Sequence, residues 1–209
     1  MTRKTPSKPL PQPHKRPSQA RAVFTVQALY DGFVRIWRRD GPAAATTRAI
    51  AEESGYAVGT LYDYFPNRTA LLSGYVRHCM DVLCQRLSEE DTAMDRHCWE
   101  ERLRRAVSLT LDEDGQAPYF DREMLMMEGK IATAAHHQRA FRQLVDAWGA
   151  LVAGWPDRPG PAVTADTLET LVLALWGARR YTLLLDTDTP PIPQQVDRLA
   201  VMARALLTS

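Results

Sequence analysis

Cysteine is scarce in this 209-residue chain, which has only Cys79, Cys84 and Cys98. An odd number without C-x-x-C spacing does not make a disulfide frame, and the three read as reduced thiols of a cytoplasmic protein. Long apolar runs are missing too. "LVLAL" (Leu171 to Leu175) falls far short of the roughly 18 residues a membrane span requires, so no membrane partner is expected. The N-terminus is basic but has no apolar core segment, which argues against a secretory signal. No G-x-S-x-G, G-x-G-x-x-G, P-loop or H-E-x-x-H occurs. The chain therefore lacks a strained nucleophile turn, a phosphate-cradling loop and a zinc-binding helix pair, and neither catalytic residues nor a cofactor are expected. His78-Cys79 and His97-Cys98 do not have the spacing of a compact metal site, so no metal is expected. Convincing period-two alternation is absent, and with it any expectation of strands.

What is present is an ordinary globular mixture, 45% apolar and 24% charged. The net charge of +1 conceals an asymmetry. Through residue 78 there are 12 Lys and Arg against 5 acids; beyond it, 14 stand against 20. A basic first third joined to an acidic remainder points to a polyanion met by the first part alone. Residues 1–17 hold Pro6, Pro9, Pro11, Pro13 and Pro17 among Arg3, Lys4, Lys8, Lys15 and Arg16, a composition expected for a flexible basic arm.

Helical periodicity then takes over. From an N-cap expected at Ser18, Ala22, Val26, Leu29, Phe33 and Ile36 recur at spacings of four and three, and Gly41-Pro42 stops the pattern. Further helices are expected around Trp99 to Thr110, Phe120 to Met127, Thr133 to Val152, Thr164 to Leu185 and Gln194 to Leu207, with a break at "GWPDRPGP" (Gly154 to Pro161).

The densest stretch is "TTRAIAEESGYAVGTLYDYFPNRTALL", Thr46 to Leu72. Glycine costs a helix interior about 1 kcal/mol and proline about 3, so Gly55, Gly59 and Pro66 need a reason. Two short helices supply it. Thr46 or Thr47 caps the first, which turns Ile50 and Ala51 inward. Gly55 ends it in a left-handed conformation, and its smallness with that of Ala51 lets the helices cross closely. The second helix starts near Ala57 and turns Leu61 inward. This is helix-turn-helix geometry, in which the second helix enters the major groove. Gly59 then allows close backbone approach, Thr60, Tyr62 and Tyr64 offer hydroxyls to phosphates or bases, Phe65 packs inside, and Asn67 caps the next helix with Arg68 beside it.

These residues resemble the TetR (TetR/AcrR) family of bacterial transcriptional regulators, almost without departure from Thr46 through Leu72, and the resemblance extends over about Ser18 to His78. It implies an all-α fold: an N-terminal three-helix helix-turn-helix domain at residues 18–78, followed at 79–209 by a larger helical effector-binding and dimerisation domain. At matching positions, Thr47, Arg48, Val58, Gly59, Thr60, Tyr62, Asp63, Tyr64 and Arg68 inherit DNA-facing roles. Asp63 stands where a basic or aromatic residue is frequent. A carboxylate there either accepts from a cytosine N4 amino group or turns away from the phosphates.

The resemblance also places an inducer pocket in the larger domain. Trp99, Phe120, Met124, Met127, Phe141, Trp148 and Trp176 are its candidate lining, since methionine and aromatic side chains suit an adaptable apolar cavity. Thr164 to Leu185 is apolar around most of its circumference, and Gln194 to Leu207 carries an apolar stripe. A homodimer is expected through these two helices, with Leu168, Leu175, Leu199, Ala203 and Leu206 at the interface. The implied function is that of a sequence-specific transcriptional regulator and not an enzyme. It would be a repressor released from near-palindromic double-stranded DNA by a small, mainly apolar effector. The alternative is a helical interaction protein that uses its DNA-binding domain as an anchor and has no small-molecule inducer.

Overall fold

The computed structural model describes residues 20–185 and 190–209, so the basic arm and Ser18 lie outside the described residues. Every regular element among the described residues is helical: α1 (Ala20–Asp40), α2 (Thr47–Glu53), α3 (Val58–Tyr64), α4 (Arg68–Ala93), α5 (Trp99–Leu111), α6 (Arg122–Ile131), α7 (Ala134–Ala153), α8 (Ala165–Leu185) and α9 (Ile192–Thr208), with one 3-10 turn at Pro42–Ala44. The chain divides into two compact units. One runs to Val76 and takes in Met127–Ile131; the other comprises Arg77–Met126 and Ala132–Ser209.

In the first unit, α1 is the organising helix. Val26, Leu29, Phe33 and Ile36 of the expected stripe are buried, Ala22 is half-buried, and Trp37 is buried beside them. An aromatic cluster sits there: Phe33 lies edge-on to Trp37 and Tyr75, at 5.3 and 5.4 Å between ring centroids, and Tyr30 contacts Tyr75 and Phe65. Such edge-to-face pairs favour one packing over many, which fixes the angle of α1 against the start of α4. Ile50 and Ala51 of α2, Leu61 of α3, and Leu71 and Leu72 of α4 complete this core with essentially no exposed surface.

Asp91 and Arg102 hold the second unit together in its interior. The Arg102 guanidinium donates through Nε and Nη2 to both carboxylate oxygens, Trp155 Nε1 donates to Asp91 at 2.8 Å, and Arg102 also reaches the Gly154 carbonyl. Both charges are largely buried, and the bidentate geometry makes that tolerable. Around this pair, Leu83, Leu87, Trp99, Leu103, Val107, Trp148, Leu171, Val172, Leu175, Val196 and Ala203 form one continuous core.

Helix ends depart from the expected limits for local reasons. α6 starts at Arg122, two residues late, because Asp121 accepts from the Met124 N–H at 2.8 Å, and it continues through Gly129 to Ile131. α7 opens on a capping box in which His136 takes the place usually held by Glu or Gln: the Thr133 N–H donates to His136 Nδ1, and the His136 N–H donates to Thr133 Oγ1. No helix among the described residues is long and apolar enough to cross a membrane.

Candidate nucleic-acid interface

The turn between α2 and α3 determines what α3 presents. Thr46 is the N-cap of α2, its hydroxyl accepting from the Ala49 N–H at 3.2 Å. At the other end Gly55 has φ +75°, the Tyr56 N–H donates to the Ala51 carbonyl and the Gly55 N–H to that of Glu52. This is a Schellman termination, in which the left-handed residue is glycine because a side chain would be strained there. The small size of Gly55 has no packing role: a Cβ on it would meet nothing within 4 Å. The tight crossing expected at Gly55 occurs instead between α1 and the end of α2, where a Cβ on Gly32 would lie 2.1 Å from Ser54 Oγ. A glycine inside the otherwise regular pattern of α1 was the available signal for it.

Two arginines of α1 fasten α2 from behind. Arg35 Nε donates to Glu53 at 2.8 Å and Arg39 Nη2 to the same carboxylate at 3.1 Å. These hydrogen bonds, that of Arg35 foremost, pull the Glu53 carboxyl below its ordinary value.

With Leu61 fully buried, α3 turns the opposite face outward. Val58 and Tyr62 are 42% and 46% exposed, Gly59 and Asp63 are exposed, and Thr60 and Tyr64 are half-buried. The hydroxyls of Thr47, in the first turn of α2, and Tyr62 lie 3.1 Å apart. Arg48 extends into solvent with Glu52 as its partner at 2.9 Å, one turn along the same helix. Eight of the nine candidate contacts thus lie on α2 or α3, with Thr47, Thr60 and Tyr64 partly covered.

Arg68 is different. Its Nη2 donates to the Pro42 carbonyl, its guanidinium lies 5.9 Å from the centroid of the Trp37 ring, and its buried Nε has no hydrogen-bond partner among the described residues. Burial lowers its pKa from the ordinary arginine value. The side chain ties the start of α4 to the α1–α2 connection. Asn67 caps the same helix, accepting from the Ala70 N–H at 2.9 Å, as its sequence position suggests.

The candidate effector residues are distributed as follows. Trp99, Met124 and Trp148 are buried, Phe141 and Trp176 pack half-exposed against the second unit's core, Phe120 is half-buried, and Met127 groups with the first unit. Trp148 Nε1 is buried without a hydrogen-bond partner among the described residues. On α8 and α9, Leu175 and Ala203 are fully buried within their own chain, and Leu168, Leu199 and Leu206 pack against the same core. On these two helices the exposed large hydrophobic residues are Leu173, Tyr181 and Leu185 of α8 and Val201 of α9, with Met202 at 39%. Among the described residues no three His, Cys, Asp or Glu converge as a metal site. Burial, with Asp81 nearby, pushes the Cys84 thiol up to about 11, which leaves little thiolate.

A capped short helix, a Schellman turn and a second helix with an exposed polar-aromatic face define a helix-turn-helix DNA-binding unit. Residues 21–74 match the family model described as bacterial regulatory proteins, tetR family. No curated protein matches the sequence. Solved structures of similar fold include the fatty acid degradation regulator FadR from Bacillus halodurans, with a TM-score of 0.61 at 14% identity over 85% of this chain and 97% of that one. A TetR-family transcriptional regulator from Streptomyces coelicolor gives 0.59 at 17% identity, over 88% and 97%. FadR of Thermus thermophilus, a transcriptional repressor solved with lauroyl-CoA, gives 0.59 at 15% identity, over 85% and 92%.

Proposed function

We propose that the protein is a ligand-controlled transcriptional repressor that binds a near-palindromic operator as a homodimer. The carrying observation is the exposed set Arg48, Val58, Gly59, Tyr62 and Asp63, gathered on α2 and α3 around a Thr47–Tyr62 hydroxyl pair. Groups of this kind, hydroxyls and a guanidinium beside a helix with bare backbone at Gly59, suit phosphate positioning and base contact in a major groove. Thr60 and Tyr64 flank that contact. The basic arm, residues 1–17, adds non-specific attraction to the duplex.

Release would come from an effector that binds the DNA-incompetent state more tightly than the competent one. Support for a mainly apolar effector comes from the aromatic side chains of the second unit, and the unused Trp148 Nε1 donor suits an acceptor on such a molecule. The repressor of similar fold from Thermus thermophilus was solved with an acyl-CoA. Dimerisation would use the exposed face of α8 and α9, where Leu173, Tyr181, Leu185 and Val201 are exposed beyond half. The two-fold axis would set the reading helices roughly 34–36 Å apart, one turn of DNA. Fluorescence anisotropy with the duplex upstream of the protein's own gene tests the reading, with and without a panel of apolar ligands that includes lauroyl-CoA. Specific binding that one ligand reverses supports it. Binding that no ligand changes supports the anchored interaction protein instead.

A further inference from the structure

Asp63 is an anomaly on a surface that meets a polyanion. It is exposed, and among the described residues it makes no hydrogen bond or ion pair. Every other acid of the α1–α3 region has a partner: Asp31 accepts from Gln27, Asp40 from Arg39, Glu52 from Arg48, and Glu53 from Arg35 and Arg39. Asp63 alone among them has no partner, and it lies one residue from the C-terminal end of the reading helix, Val58–Tyr64.

Its place on the helix is specific. At 100° per residue, Gly59 and Asp63 lie within about 20° of the direction opposite Leu61, on the outermost ridge of α3. Leu61 has no exposed surface, so this ridge points directly away from the core. Gly59 has no side chain, and a Cβ there would meet nothing in its own chain within 4 Å. A bare turn beside a short carboxylate lets the helix sink until the aspartate, with its limited reach, meets base edges and not the phosphate walls.

We infer that Asp63 is a specificity-determining residue that selects cytosine at one position of each half-site. The inference rests on the DNA-binding reading of α3. An ionised carboxylate can only accept hydrogen bonds. In the major groove guanine offers N7 and O6, both acceptors, and thymine offers O4, also an acceptor. Adenine offers its N6 amino group beside the acceptor N7. Only cytosine presents an amino donor, N4, with no acceptor beside it on its own edge. The same carboxylate repels phosphates, so it lowers affinity for DNA in general while rewarding one base pair, which widens the gap between right and wrong sites.

Selection of bound duplexes from a randomised library, followed by sequencing, tests this for the full-length protein and for Asp63→Asn, Asp63→Ala and Gly59→Ala. The wild type is expected to enrich a near-palindrome with cytosine at one position per half-site. Asp63→Asn should shift that position toward adenine, whose N6 and N7 match an amide. Asp63→Ala should lose the preference there by at least about fivefold, keep it elsewhere, and bind random DNA more tightly. Gly59→Ala, which clashes with nothing in the chain, should weaken preference at the same position. If the wild type enriches a sequence and both Asp63 variants enrich it base for base, the assignment is overturned while the DNA-binding reading stands. If the wild type enriches nothing, both fall.

Discussion

The hydroxyls of Thr47 and Tyr62 lie 3.1 Å apart, joining the first turn of α2 to the exposed side of α3. The pair fixes the tyrosine ring relative to the N-terminus of α2, where backbone N–H groups also point outward. A phosphate accepting from both hydroxyls would set the register of the protein on the duplex. Tyr62→Phe is expected to weaken operator binding by about 0.5–1.5 kcal/mol, the net value of a neutral hydrogen bond, and to leave the salt dependence unchanged because no charge is removed. Thr47→Val should do the same, and the double variant should lose less than the sum. Anisotropy titrations at three salt concentrations measure all three.

Arg48 and Arg68 are expected to separate cleanly. Arg48 is 84% exposed and held only by an i,i+4 pair with Glu52, an interaction worth a few tenths of a kcal/mol that a phosphate or guanine can replace. Arg48→Ala should reduce affinity and lower the salt slope by about one if the contact is to phosphate, or relax one base position if it is to guanine. Arg68 is committed to the Pro42 carbonyl and the Trp37 ring. Arg68→Ala should leave the salt slope unchanged and lower the unfolding free energy of the first unit by roughly 1–3 kcal/mol, read in urea titrations.

Acid should loosen α2 through Glu53. Its pKa in the folded protein is below the ordinary 4.5, because Arg35 and Arg39 donate to the ionised form. The contribution is therefore fully present above the unfolded value and is lost as pH falls through the folded one. Urea midpoints measured from pH 6 down to pH 3 should fall more steeply for the wild type than for Glu53→Gln, which starts lower and lacks this component.

Much of the first unit was legible because its punctuation is chemical. Thr46, Gly55 and Asn67 sit where a hydroxyl cap, a left-handed turn and an amide cap are needed, and the structure uses each in that way. The direction of Arg68 was not legible, since it depends on a ring and a carbonyl 31 and 26 residues away in the chain. Nor could periodicity choose between the sides of α8. A helix apolar around most of its circumference gives no sign that Leu175 is inside and Leu173 is 62% exposed.

That exposed side makes a separate prediction. Leu173→Glu or Val201→Glu should yield a folded monomer in sedimentation velocity, with helical circular dichroism retained, and should abolish tight operator binding. Leu175→Glu, at a site fully buried within the chain, should unfold the second unit instead. Monomers from the buried variant and dimers from the exposed ones would reverse the assignment of faces.

Sequence-specific binding through α3 is the central claim, and a competition measurement addresses it most directly. A labelled duplex from the region upstream of the protein's own gene is titrated with wild-type protein at physiological salt, then challenged with the same duplex and with its scrambled counterpart. A repressor of this kind should bind as two protomers per site and prefer the native duplex by at least about 10³-fold. Equal competition by the scrambled duplex would mean that α3 meets only the phosphates and reads no sequence, and would contradict the account.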